Sequence, residues 1–161
     1  MNFLEKDLEE IIFNADNSSL HEKGLPIFGK KIRQLKIGGY GVADIVSYEK
    51  IGSVIYIVVY ELKKDKIGIS AFLQALGYAR GIQRYLENRD VSFDFKIGIT
   101  LIGKTFDKNS TYCYLRDVIR DFIGEDMYRD FLNNFTYEYG FDGIQFTNHG
   151  EYYNSRELWT N

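Results

Sequence analysis

The chain has 161 residues, 45% apolar and 16% aromatic, with a formal net charge of −3. That length suits one domain with a sizeable core, and no apolar run approaches the roughly 20 residues that a membrane-spanning helix needs. The lone cysteine, Cys113, excludes an internal disulfide, and the N-terminal stretch is charged where a secretory signal would be apolar. A soluble, cytoplasmic protein is the expectation.

The net charge alone speaks against a general nucleic-acid binder, but its distribution is uneven. Residues 59–104 hold 8 basic and 5 acidic side chains, whereas residues 105–161 hold 5 basic and 10 acidic ones. Lys30, Lys31, Arg33 and Lys36 form a local basic cluster in the first third. A basic groove beside an acidic C-terminal third is compatible with this pattern, as is an ordinary solvated surface.

In chain order, residues 3–14 read as a helix, because Leu4, Leu8, Ile11 and Ile12 fall on one stripe. Residues 14–24 are polar and turn-like. Residues 32–37 form a weakly alternating first strand, Gly38-Gly39 a turn, and residues 41–48 a second strand. Residues 54–62, VIYIVVYEL, are β-branched and aromatic on both faces and suit a central buried strand. Ser70 can cap a helix running to Asn88, with Phe72, Leu76, Ala79, Ile82 and Leu86 as its apolar face. Residues 96–102 are a further strand, residues 112–123 a helix, and residues 134–148 a hairpin with Asp142-Gly143 as a type I′ turn. The order predicts an α/β fold, a mixed sheet flanked by helices on both faces.

Chemistry concentrates at the ends of two of these strands. Asp44 lies within the apolar stretch Gly41-Val42-Ala43-Asp44-Ile45-Val46, where a carboxylate is costly unless paired or bound to a cation. Glu61 and Lys63 end the strongest strand, and positions two apart share a strand face. Asp44 precedes Glu61 by 17 positions, which leaves room for a turn near residues 49–52, so the strands pair as a hairpin with both carboxylates at one end. Two adjacent carboxylates repel unless a cation joins them. Mg²⁺ takes hard oxygen ligands, one or two carboxylates among them. An adjacent lysine can orient an attacking hydroxide or offset charge on a phosphate. Carboxylates, a metal and a nearby cation together point to phosphodiester hydrolysis.

Asp44 followed by Glu61-Leu62-Lys63 resembles the core signature of the PD-(D/E)XK nuclease superfamily, with Ala43 in place of the usual proline. Gln74-Ala75-Leu76-Gly77-Tyr78 looks like the Gln-x-x-x-Tyr motif of its RecB-type and resolvase-like members. Phe3-Leu4-Glu5-Lys6-Asp7-Leu8-Glu9 is similar to the first helix of NucS-like endonuclease domains, which carries a glutamate facing the metal site. The resemblance covers residues 3 to about 102 of a single domain spanning 1–161, and residues 105–161 carry nothing comparably specific. It implies a restriction-endonuclease-like fold and a metal-dependent DNA endonuclease. Asp44 and Glu61 would hold Mg²⁺, or Mn²⁺ in its place, and Lys63 would assist the nucleophile. Glu5 would be the metal-side glutamate. Glu9, turned further towards solvent, is the runner-up.

Helix geometry adds Gln74 and Tyr78, which share a face with Tyr85 distinct from the apolar one. By the same resemblance Lys64, Lys66, Arg80 and Arg84 contact phosphate, the two arginines lying on one side of their helix; taken singly, each reads better as solvated surface. His21 and His149 read as ordinary loop residues, Cys113 as buried packing, and Tyr137, Tyr139, Tyr152 and Tyr153 as hairpin and tail residues. DNA is the expected partner, with no membrane contact, and a homodimer or a partner protein is left open. The alternative function is a nuclease-fold protein that binds nucleic acid or a protein without cutting.

Overall fold

The computed structural model describes residues 5–89, 92–106, 112, 115, 118, 119 and 131–149. Helix α1, Glu5–Asn14, buries the predicted stripe through Leu8 and Ile12. A second helix, α2, Asn17–Glu22, occupies the stretch read as a turn. Its sequence NSSLHE offers one buried apolar side chain, Leu20, too few to make a periodic pattern.

Three antiparallel strands follow: β1, Lys30–Lys36; β2, Val42–Ile51; and β3, Val54–Leu62. A 3₁₀ turn, Gly38–Tyr40, joins the first two. After the short β4, Lys66–Ile67, helix α3 runs from Ile69 to Glu87. It starts one residue before Ser70 with Gly68 at the cap position and no side-chain cap, so the capping role expected of Ser70 is not used. Strand β5, Asp94–Gly103, returns parallel to β3. The two-residue β6, Thr105–Phe106, pairs with β4 as a separate small sheet. Strands β7, Leu132–Gly140, and β8, Gly143–Asn148, form the C-terminal hairpin. Gly140 pairs with Gly143, so the loop is Phe141-Asp142, and neither residue has the positive φ that a type I′ turn demands. The left-handed conformation falls instead on Gly143, at φ 88°.

The main sheet has the order β1-β2-β3-β5-β7-β8, and β3, β5 and β7 run parallel at its centre. It is the mixed sheet expected, covered on both faces by helices. On one face α3 packs Phe72, Ala75 and Ala79 against Val46, Ile57, Val59, Ile99 and Leu101. On the other, Leu8, Ile12 and Leu20 pack against Ile45, Tyr60, Leu62 and Ile102. Strands β3 and β5 therefore need apolar side chains on both faces, which is why β3 is legible as an unbroken apolar run. The apolar face of α3 differs in one place: Leu76 is 38% exposed, and Ala75 is buried in its stead. The helix sits close to the sheet through small side chains, so the large one at its margin is turned out. The expected helix at 112–123 falls largely outside the described residues, although Tyr112, Leu115, Val118 and Ile119 are helical. Among the described residues no helix is long and apolar enough to cross a membrane.

Candidate active site

The register of β2 and β3 runs from the Ile51–Val54 pair to the Ile45–Tyr60 pair. Asp44 and Glu61 stand one step beyond, opposite one another. Val59 and Ile57 point into the core under α3, so alternation carries Glu61 to the same side. Asp44 Oδ2 accepts the backbone N–H of Leu62 at 3.1 Å, which ties the carboxylate to the end of β3. Glu61 is 4% exposed. Lys63 reaches from the same face, with Nζ 3.3 Å from Glu61 Oε1 and donating to Gln74 Oε1 at 3.1 Å. Gln74 thus bridges α3 to the strand-end lysine, as its helical position implied.

Tyr78 sits one turn further along α3. A side chain at Gly41 would bring a Cβ to 3.0 Å from the Tyr78 ring, and Gly41 itself has φ 110°, so glycine is required there on both counts. Burial raises the Tyr78 hydroxyl pKa, and the charges of Glu61 and Asp44 raise it further.

Electrostatics mark the pair as strained in the absence of a cation. Burial pushes Glu61 up to about 7, the neighbouring Asp44 charge adds to this, and Lys63 opposes it. Asp44 is also raised, first by burial; the Leu62 N–H lowers it, and Glu9 raises it. Each carboxylate holds its proton more strongly than usual, chiefly because of burial, and for Glu61 also because Asp44 is beside it.

The strand end that carries Lys63 is held from three elements. Lys63 N–H donates to Ile102 O of β5 at 2.8 Å. Lys64 N–H donates to Glu5 Oε2 of α1 at 3.1 Å. The hydroxyl of Tyr137 on β7 donates to Lys64 O. Glu5 therefore meets the Lys63–Lys64 segment through a backbone amide. The Tyr137 contact was not legible, because a hairpin tyrosine carries no sign of a partner 73 residues away.

Glu9 corrects the reading of α1. Far from being turned to solvent, it is 7% exposed, ion-paired with Arg33 and bonded by Gln34 Nε2 at 2.7 Å. Its partners lie on β1, 24 and 25 residues on, which helical phase within α1 cannot reveal. Gln34 has φ 51°, the one non-glycine residue with positive φ among those described. It occupies the gap in the β1–β2 register between the Arg33–Ile45 and Leu35–Ala43 pairs, opposite Asp44. A left-handed residue of this kind costs about 1–2 kcal/mol, and such strain tends to collect beside functional groups.

The basic cluster is also partly committed. Lys31 donates to the carbonyls of Ile12 and Ala15 at the C-terminal end of α1, and Arg33 belongs to Glu9 and Glu10. Arg80 and Arg84 lie one turn apart on the same side of α3 but border different clefts. Arg80, bonded to Gln83, borders a small cleft with Phe95 and Ile97, whereas Arg84 lines a larger groove towards β1 and β2. Lys66 lies exposed on β4. His149 packs on Phe106 and bonds Thr136, and His21 lies in α2, so His21 is not the loop residue expected. Cys113, Tyr152 and Tyr153 lie outside the described residues.

Among the described residues, no group of three or more His, Cys, Asp and Glu side chains is gathered as a ligand set. The buried Glu61 and the half-buried Asp44 opposite it, both with raised pKa, are a hard-oxygen donor pair, and they fit a divalent cation that completes its shell with water and phosphate. Gln74, Tyr78, Lys63, Glu61 and Asp44 are brought together, the charges of Glu9 and Glu5 are near enough to raise Asp44, and Arg80 and Arg84 border clefts whose lining includes none of the five.

No family model matches the chain, and no curated protein matches it. Among solved structures, the crystal structure of a repair endonuclease from Pyrococcus abyssi is similar at a TM-score of 0.47 and 21% identity, over 75% of this chain and 44% of that one. The chain spans less than half of that protein's length. A likeness of this size says nothing about what the chain binds or cuts.

Proposed function

We propose that the chain hydrolyses phosphodiester bonds in DNA with the help of a divalent cation, as a nuclease of PD-(D/E)XK type. The observation that carries this reading is the pairing of Asp44 and buried Glu61 at one strand end, with the Lys63 ammonium 3.3 Å from Glu61. In this reading Asp44 and Glu61 hold Mg²⁺ or Mn²⁺, which when bound polarises the phosphate and lowers the pKa of a bound water.

The protein's own groups have separable tasks. Lys63, fixed by Gln74, offers positive charge to the phosphate or the incoming hydroxide. The bonds from Glu5 and Tyr137 to the Lys64 backbone hold that lysine in place before substrate arrives. Tyr78 closes one side of the site.

The test is nicking of supercoiled plasmid and cleavage of labelled single-stranded, double-stranded and branched oligonucleotides, with Mg²⁺, Mn²⁺ or chelator. Cleavage that needs the cation and is lost in Asp44→Asn and Glu61→Gln supports the reading. Binding without cleavage in every condition would favour a nuclease fold that recognises nucleic acid without cutting it.

A further inference from the structure

A groove of about 840 Å³ opens between the C-terminal half of α3, the 3₁₀ turn and the β1–β2–β3 face. Its floor is apolar, formed by Leu35, Val46 and Ile57 among others. Three tyrosines, Tyr40, Tyr48 and Tyr85, line it while 37–56% exposed. The charged side chains in the lining are Lys36 and Arg84, both cationic, and Asn88 supplies an amide. Arg89 adds a guanidinium 4.5 Å from the Tyr85 ring centroid. No carboxylate lines the groove, so it is built against a basic ligand. Flat rings, an apolar floor, cations and one amide together suit a planar heterocycle joined to an anion, which describes a nucleotide.

A short series of packing contacts links the groove to the carboxylates. Ile37 and Tyr40 press on α3 at Gly81, where a Cβ would come within 2.5 and 2.7 Å of their side chains. Gly41 then packs on Tyr78, beside Glu61 and Asp44. Along α3, Gln74 contacts Lys63, Tyr78 follows, and Arg84 and Tyr85 reach the groove. From Gln74 to Tyr85 is roughly 16 Å of helix at about 1.5 Å per residue, a length on the order of two or three nucleotides of an extended strand.

We propose that this groove is a nucleotide subsite that takes an unstacked base and its phosphate from a single-stranded segment lying along α3. The tyrosines stack on the base, and Lys36 and Arg84 pair with the phosphate. A duplex keeps its bases stacked inside and presents one to the groove only at the cost of unpairing and unstacking it. The subsite therefore selects single-stranded, frayed or flapped nucleic acid. Its role in placing a scissile bond rests on the nuclease reading above; base binding does not.

The experiment is fluorescence anisotropy of a labelled eight-residue oligothymidylate and of a blunt duplex of equal length. It uses the full chain with Ca²⁺ and separately with chelator, alongside cleavage assays in Mg²⁺. Single strand is expected to bind more tightly than duplex. Tyr85→Ala and Tyr48→Ala should each weaken it roughly tenfold, while Tyr48→Phe restores near-native binding. Arg84→Gln should lower the salt dependence by about one phosphate contact. Tyr85 is at the surface, so Tyr85→Ala guards against a folding defect in Tyr48→Ala. Tyrosine-dependent binding without cleavage by the native chain would leave the subsite standing and remove the nuclease reading. Cleavage and binding by the native chain that neither tyrosine substitution alters would overturn the subsite alone. So would equal affinity for strand and duplex, or tyrosine substitutions that change the oligomeric state by light scattering and leave oligonucleotide affinity intact.

Discussion

Lys63, one residue past the end of β3, and Glu61 near that end meet at 3.3 Å, and the lysine is tethered from the far side by Gln74. An ammonium so placed partly offsets the charge of a buried carboxylate and leaves donors to turn towards a ligand. Lys64, the next residue, uses its backbone N–H and carbonyl to fix the strand end.

The two lysines should therefore separate. Lys63→Ala is expected to lower the single-turnover cleavage rate by about 10²-fold or more, a typical cost of losing one charge-stabilising group, with metal affinity little changed. Lys64→Ala keeps the backbone contacts and should have a much milder effect. Equal losses of DNA affinity in both variants, with unchanged rates for the bound complexes, would reduce Lys63 to one member of a basic patch.

A second prediction concerns pH in the metal-free protein. Glu61 is held at about 7 when folded, against an ordinary value of 4.5. The folded chain therefore binds the extra proton between these values, and stability falls as pH rises through that window. Glu61→Gln removes the cost of the buried charge. In chelator, urea unfolding should find the variant more stable than the native chain by roughly 2 kcal/mol at pH 8, with the difference shrinking towards pH 5. A variant no more stable than the native chain at pH 8 would mean that Glu61 is not penalised by its surroundings.

Gln34 offers a test of strain. Its φ of 51° suits glycine, while its amide bonds Glu9. Gln34→Ala loses the hydrogen bond and keeps the strain; Gln34→Gly loses the bond and relieves it. The glycine variant should be more stable than the alanine variant by about 1 kcal/mol in denaturant unfolding. The reverse order would show that the left-handed backbone is not a cost at this position.

Glu9 should behave as a structural carboxylate. Glu9→Ala leaves Arg33 and Gln34 without their partner and is expected to destabilise the fold by about 1–3 kcal/mol, while cleavage persists at a reduced rate. Loss of all cleavage from a folded Glu9→Ala protein, matching Asp44→Asn, would move Glu9 into the reacting group.

The parts of this protein that were legible in its sequence are those set by local pattern. Strand β3 announces itself because burial on both faces leaves it no polar alternation, and Glu61 and Lys63 are the break in that run. The phase of α3 is enough to bring Gln74 to Lys63. What stayed hidden depends on distant partners or on too few residues. Glu9 looks solvated until Arg33 is brought over it from β1. Tyr137 gives no hint of Lys64, and that Arg80 and Arg84 border different clefts shows only once Phe95 and Tyr48 are in place. Helix α2 has a single apolar anchor, and two-residue strands such as β4 and β6 are too short to carry a period.

The central claim is that Asp44 and Glu61 jointly hold one divalent ion. Mn²⁺ titration followed by electron paramagnetic resonance tests it directly, on the native chain and on Asp44→Asn, Glu61→Gln and Glu9→Gln at pH 8. The account predicts one Mn²⁺ per native chain, displaced by Mg²⁺, with affinity reduced at least tenfold by either of the first two substitutions and little changed by the third. Binding of Mn²⁺ that survives both Asp44→Asn and Glu61→Gln, or no binding by the native chain even with oligonucleotide present, would contradict it.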